Sequence, residues 1–132
     1  MTNLPWEGAP ETPSPLRVLF VSRLTEAFYC ADAATAAEVG QTIHDVFGGL
    51  PSRFGITVLG TLDDDRLAVG GSETSPWTGY ILADVPELGT VIAICNLLRE
   101  TWIGEDRLWK FMTIEARVGR PRYFERMATG AG

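Results

Sequence analysis

Hydrophobic and polar positions follow two different periods along this chain, and the switches between them predict its elements. Residues 17–24, RVLFVSRL, make a short β-rich apolar run. Val18, Phe20 and Ser22 fall on one face, and Leu19, Val21 and Arg23 on the other, so the strand is expected to be covered on both sides. Residues 25–32 read as a loop whose Phe28 and Tyr29 fold back onto the core. Over residues 33–50 the period becomes helical: Ala36, Val39, Ile43, Val46, Phe47 and Leu50 draw one stripe. Thr35 to Glu38 fits a capping box at its start. Gly48, Gly49 and Pro51 stop it.

Residues 55–62, GITVLGTL, read as a second strand, ended by Asp63, Asp64 and Asp65. Around Leu67 to Val69 the pattern allows an extra short strand or a bulged arm. A third strand is expected over 77–84, and Pro86 suits the first turn of a second helix over 87–101. Leu88, Val91, Ile92, Cys95, Leu98 and Trp102 define its expected core face. Ile94 and Leu97 fall on the other side, which implies packing beyond its own sheet. Residues 105–110 read as a short turn. Residues 111–119 alternate as a last strand with Met112, Ile114, Ala116 and Val118 inward.

The order β-α-β-β-α-β predicts an α+β fold of ferredoxin-like type, a four-stranded antiparallel sheet with two helices on one face. The other face offers Leu19, Val21, Leu59 and Phe111, too apolar to leave wet. Arg23, Thr57, Thr61, Thr113, Glu115 and Arg117 share it. Two such faces paired in a two-fold homodimer, a dimeric α+β barrel, are the expected outcome. The domain spans residues 16–124, between a proline-rich lead-in, 1–15, and a tail, 125–132. Trp6 is the one lead-in residue suited to dock on the body.

Composition narrows the partners. The 132 residues carry a net charge of −6, which argues against nucleic acid or an anionic membrane as partner. No apolar run is long enough to span a bilayer and no secretory signal opens the chain, so a cytoplasmic location is expected. The charge is uneven: residues 1–106 hold 5 basic against 15 acidic side chains, and residues 107–132 hold 6 against 2. The basic end reads as an arginine-rich strand edge, a segment pairing with the acidic remainder or a second subunit, or a phosphate patch. Cys30 and Cys95 form no CxxC or zinc pattern and read as reduced thiols.

Few residues carry candidate chemistry. His44, the only histidine, falls on the boundary of its helix stripe, either as a surface residue or as a base at a cleft mouth. A metal site would need ligands that the pattern does not supply. Asp63, Asp64 and Asp65 are either a solvated turn or the source of one raised-pKa general base. Arg99 falls near the centre of the second helix's expected core face. It either pairs internally, with Glu115 or an Asp, or holds a substrate carboxylate in bidentate fashion. Trp77, Tyr80, Trp102 and Trp109 suit core packing, and equally the binding of a flat aromatic ligand with Tyr80 as phenol donor. Ser22 faces inward, but without a histidine in its motif it is no catalytic serine.

Four separated segments then resemble one family: TLDDDRLAVG, PWTGYILADVP, CNLLRET and RLWKFMTIEARVGRP. They are similar to the IacB-like small proteins encoded beside bacterial indole-3-acetate degradation enzymes, over residues 17–121. More broadly the topology is similar to dimeric α+β barrel proteins, among them cofactor-independent monooxygenases, polyketide cyclases and muconolactone-type isomerases. The haem branch is disfavoured by the marginal place of His44. The resemblance implies a ligand cleft between sheet and helices. The expected function is a small cofactor-independent enzyme that oxygenates, isomerises or cyclises an aromatic or indole-type metabolite. His44, Asp64 and Tyr80 are the catalytic candidates, and Trp77, Arg99, Trp102 and Arg117 the substrate-binding ones, with no metal. The alternative is a non-catalytic ligand-binding or accessory subunit that partners an oxygenase.

Overall fold

A computed structural model describes residues 15–70 and 75–123. The lead-in with Trp6, the loop residues 71–74 and the tail lie outside the described residues. The chain runs β1 (Leu16–Leu24), α1 (Glu26–Tyr29), α2 (Ala33–Gly48), α3 (Leu50–Phe54), β2 (Thr57–Asp63), β3 (Gly79–Val85) and α4 (Leu88–Glu100). A two-residue hairpin follows, β4 (Trp102–Ile103) with β5 (Asp106–Arg107), then a 3-10 turn (Leu108–Lys110) and β6 (Met112–Gly119). Four strands form one antiparallel sheet in the order β2-β3-β1-β6. This is an α+β fold compatible with the ferredoxin-like pattern.

Alternation in β1 builds the core. Val18 and Phe20, 0% and 1% exposed, face the helices and join Ala83 and Val85 of β3 with Val91, Ile94 and Leu97 of α4. A second cluster, Val39, Leu98, Ile103, Leu108, Phe111 and Met112, closes the end beside the hairpin. Phe111 therefore belongs under the helices and not on the open face. It precedes β6 as the residue closing the 3-10 turn, so strand alternation does not reach it.

Three boundaries differ from the pattern reading. The α2 N-cap is Asp32, whose carboxylate accepts the Thr35 N–H at 2.7 Å; Thr35 thus lies inside the first turn and the expected capping box does not form. Leu50, 0% exposed, belongs to α3, a separate turn ended by Gly55 in the left-handed region at φ +67, where a Cβ would be strained. The expected arm at Leu67 and Val69 forms no strand, and both side chains are exposed. The loop at 25–32 also contains α1.

The buried face of α4 is shifted from expectation: Val91 and Leu98 are buried as expected, and Ile94 and Leu97 join them. Leu88 and Ile92 are about half exposed. Trp102 is off the helix, because Thr101 turns extended and caps Leu97 O through both its N–H and its hydroxyl. A register shift between Val58 and Gly60 makes Leu59 the extra residue of a β-bulge. Beyond it Thr61 stands opposite Ile81, in the helix-facing rows, and Leu62 stands opposite Tyr80 on the open face. Thr61 is thereby moved off the open face where simple alternation puts it. Among the described residues no helix is long and apolar enough to cross a membrane.

Candidate functional site

Where β1 and β3 meet the C-terminal half of α2, the side chains leave a cleft of about 540 Å³. Its floor is Phe20 and Ser22 of β1, Ile81 of β3, and Met112 and Ile114 of β6. Ile43 and Phe47, one turn apart on α2, form the roof, and Tyr29 at the end of α1 stands at the side. These positions follow from strand alternation and from the α2 stripe, whose Ile43 and Phe47 are only partly covered by the core.

The rim is polar. Asp63 ends β2, and Asp64 continues its ladder by donating its N–H to Thr78 O at 2.8 Å. Tyr80 sits in the open-face row between Val21 and Leu62, and its hydroxyl lies 3.0 Å from Asp64 Oδ2 and 3.0 Å from Trp77 O. A phenol has one proton for these two acceptors. That proton is shared between the Asp64 carboxylate and the Trp77 carbonyl. The hydrogen bond to Asp64 holds the phenol above the usual tyrosine range, with burial and the Asp64 charge adding to it and Ser75 opposing. Tyr80 is therefore held as a neutral phenol whose hydroxyl donates to and orients the Asp64 carboxylate. Arg23, exposed, is the one cation lining the cleft among the described residues, against Asp63, Asp64 and Asp65.

The other expected site residues are placed elsewhere. His44 is on the outer side of α2, its side chain 83% exposed and 3.7 Å from Asp45. Trp77 contributes its backbone carbonyl to Tyr80, and its ring does not line the cleft. Arg99 is exposed on α4, its guanidinium 5.4 Å from the Trp109 ring centroid. It pairs with neither Glu115 nor an Asp, and Tyr80 and Arg99 do not meet in one pocket. Trp102, also exposed, carries the Arg107 guanidinium 3.5 Å from its ring centroid, and Arg107 donates to Arg99 O at 2.5 Å. Arg117 is on the open sheet face, bonded to Glu115 at 2.7 Å. Of the seven expected residues, Asp64 and Tyr80 line the cleft and touch one another.

Pattern reading underrated Ser22, Arg23, Ile43, Phe47 and Gly79, all of which line the cleft. The signal for Ser22 was present: one hydroxyl on an otherwise apolar inward face. Among the described residues no group of three or more His, Cys, Asp or Glu side chains could hold a metal ion. Cys95 is half-buried and its thiol is pushed up by burial; Cys30 is exposed. Comparison of the chain with protein-family models, with curated proteins and with solved structures finds no match.

Proposed function

We propose that this protein binds a flat aromatic molecule of about indole size between its sheet and α2, and that Asp64, oriented by Tyr80, exchanges a proton with it. The observation that carries this reading is the cleft of about 540 Å³, apolar on floor and roof with one hydrogen-bonded acid–phenol pair at its rim. That volume and that mix of apolar walls with few polar groups suit a small-molecule site. Phe20, Phe47 and Ile114 would contact the ring. Asp64 would be the base and Tyr80 its positioning residue. The four-segment resemblance to IacB-like proteins, and the wider one to dimeric α+β barrels, supports an oxygenation, isomerisation or cyclisation that needs no permanent cofactor. His44, Arg99, Trp102 and Arg117 lie outside the cleft and have no role in it.

The ferredoxin-like unit would act as a cytoplasmic homodimer closed through the open sheet face. Leu59 and Leu82, exposed on β2 and β3, support that closure. Light scattering on the purified chain tests it, and a wild-type monomer at micromolar concentration would refute it.

The ligand reading is tested by titrating indole and substituted indoles while following thermal unfolding. A ligand at 100 times its Kd adds about 2.7 kcal/mol of stability. Asp64→Asn should keep that stabilisation and lose turnover. Absence of stabilisation by every indole-sized aromatic would sink the reading.

A second reading, an accessory subunit that partners an oxygenase, is favoured by a different observation. Trp102 and Trp109, each about half exposed, carry Arg107 and Arg99, and Leu88 and Ile92 of α4 are exposed as well. Exposed Trp and Arg together are typical of interface anchors.

A further inference from the structure

The floor of the cleft has one gap. Across the sheet, Asp63, Gly79, Ser22 and Ile114 stand in a single register row. Ile114 packs into both cores, so the row faces the helices. Gly79 is not in the left-handed region, so its backbone does not require glycine. A glycine within a strand is destabilising and has no side chain to pack. What it provides here is space: a Cβ at position 79 would lie 2.7 Å from Ser22 Oγ. The Ser22 hydroxyl leans over Gly79 and makes no hydrogen bond among the described residues. Asp63, the register partner of Gly79 on its other side, lines the same cleft.

Strands are spaced about 4.8 Å apart, so Asp63 and Ser22 stand about 10 Å apart at the backbone. The Asp63 carboxylate only accepts, and the Ser22 hydroxyl accepts as well as donates. A group that donates hydrogen bonds in two directions suits both, whereas a ligand carboxylate meets a donor in Ser22 but the like charge of Asp63. The described lining carries three Asp side chains against Arg23, which adds a field of the same sign.

We propose that Gly79 is the specificity-determining position of the cleft, and that the Asp63–Gly79–Ser22 row selects an aromatic ligand bearing a hydrogen-bond-donating, cationic nitrogen over one bearing a carboxylate. This rests on the cleft being the ligand site. The ligand class is then an arylalkylamine, its ring under Ile43 and Phe47 and its ammonium between Asp63 and Ser22.

The test uses three probes with one ring: tryptamine, indole and indole-3-acetate, titrated calorimetrically into the full chain at neutral pH. Tryptamine should bind at least tenfold tighter than indole-3-acetate, with indole between them. Asp63→Asn, at an exposed position, should weaken tryptamine about tenfold and leave indole unchanged. Gly79→Ala should weaken tryptamine, and because it crowds Ser22 its effect is read beside the Ser22→Ala, Gly79→Ala double variant. The double variant removes the crowding and so restores folding, but should still bind tryptamine at least tenfold more weakly than wild type. Acid binding equal to or tighter than amine binding overturns the selection, as does wild-type tryptamine affinity in the double variant. If indole and the acid bind and the amine does not, this inference alone fails. If none of the three binds, the ligand reading fails with it.

Discussion

Two isoleucines on one helix separate the sequence pattern from the structure. Ile94 of α4 is 0% exposed in the main core, and Ile92, on the neighbouring side, is 54% exposed. Truncating either to Ala removes the same three carbons, and β-branching and propensity change alike. At about 0.8 kcal/mol per buried carbon the transfer loss at Ile94 is about 2.4 kcal/mol. The cavity left among Phe20, Val91 and Leu97 adds to it, giving about 3–4 kcal/mol, within the range for Ile→Ala in cores. At Ile92 less than half of that surface is buried and solvent fills the space, so the loss is about 1 kcal/mol or less. Urea unfolding followed by far-UV circular dichroism measures both. Ile94→Ala should move the midpoint down by roughly 1–3 M and Ile92→Ala by a third of that or less. Equal losses, or the larger loss at Ile92, would refute the orientation of α4 and with it the placement of Arg99 outside the core.

Three further outcomes are expected. Spectrophotometric titration should show one tyrosine ionising above the other two, and Tyr80→Phe should remove it. The folded phenol's raised pKa adds stability that is complete below the unfolded value of about 10 and is lost as pH rises through the folded one. The N-cap works in the other direction. Thr35, through its backbone N–H first, holds the Asp32 carboxyl below its usual value. Its stabilising contribution is present above the unfolded pKa and is lost as pH falls through the folded one. Asp32→Ala should therefore lower the melting temperature at neutral pH and leave it nearly unchanged near pH 2, read by acid titration of melting curves. Thiol labelling of the native chain should proceed in two phases, Cys30 first and Cys95 last, because Cys30 is exposed while Cys95 is half-buried with a raised pKa; Cys30→Ser should abolish the fast phase.

Local patterns were enough for the elements because each rests on a short-range cause. Alternation in 17–24 and 112–119, the α2 stripe ended at Gly48, and the break at Pro86 are all set by neighbours in sequence. Their order limits the topology to a few sheets, since antiparallel strands and helical crossovers connect in few ways. The site was less legible. Asp64 and Tyr80 are 16 residues apart and meet because β2 and β3 pair in one register, which no local period encodes.

Tertiary structure decided the rest. Leu88, Val91, Ile92, Ile94, Cys95, Leu97 and Leu98 put apolar residues around most of α4, so the sequence allows two faces. Only contact with Phe20, Ala83 and Val85 chooses the one carrying Ile94 and turns Arg99 out to Trp109. One extra residue, Leu59, inverts the sides of β2 that follow it, because side chains alternate with period two. The elements were written locally by hydrophobic period and by glycine and proline. The burial of each face, the register of the strands and the gap over Gly79 exist only once the sheet is assembled, because each depends on atoms brought together from distant parts of the chain.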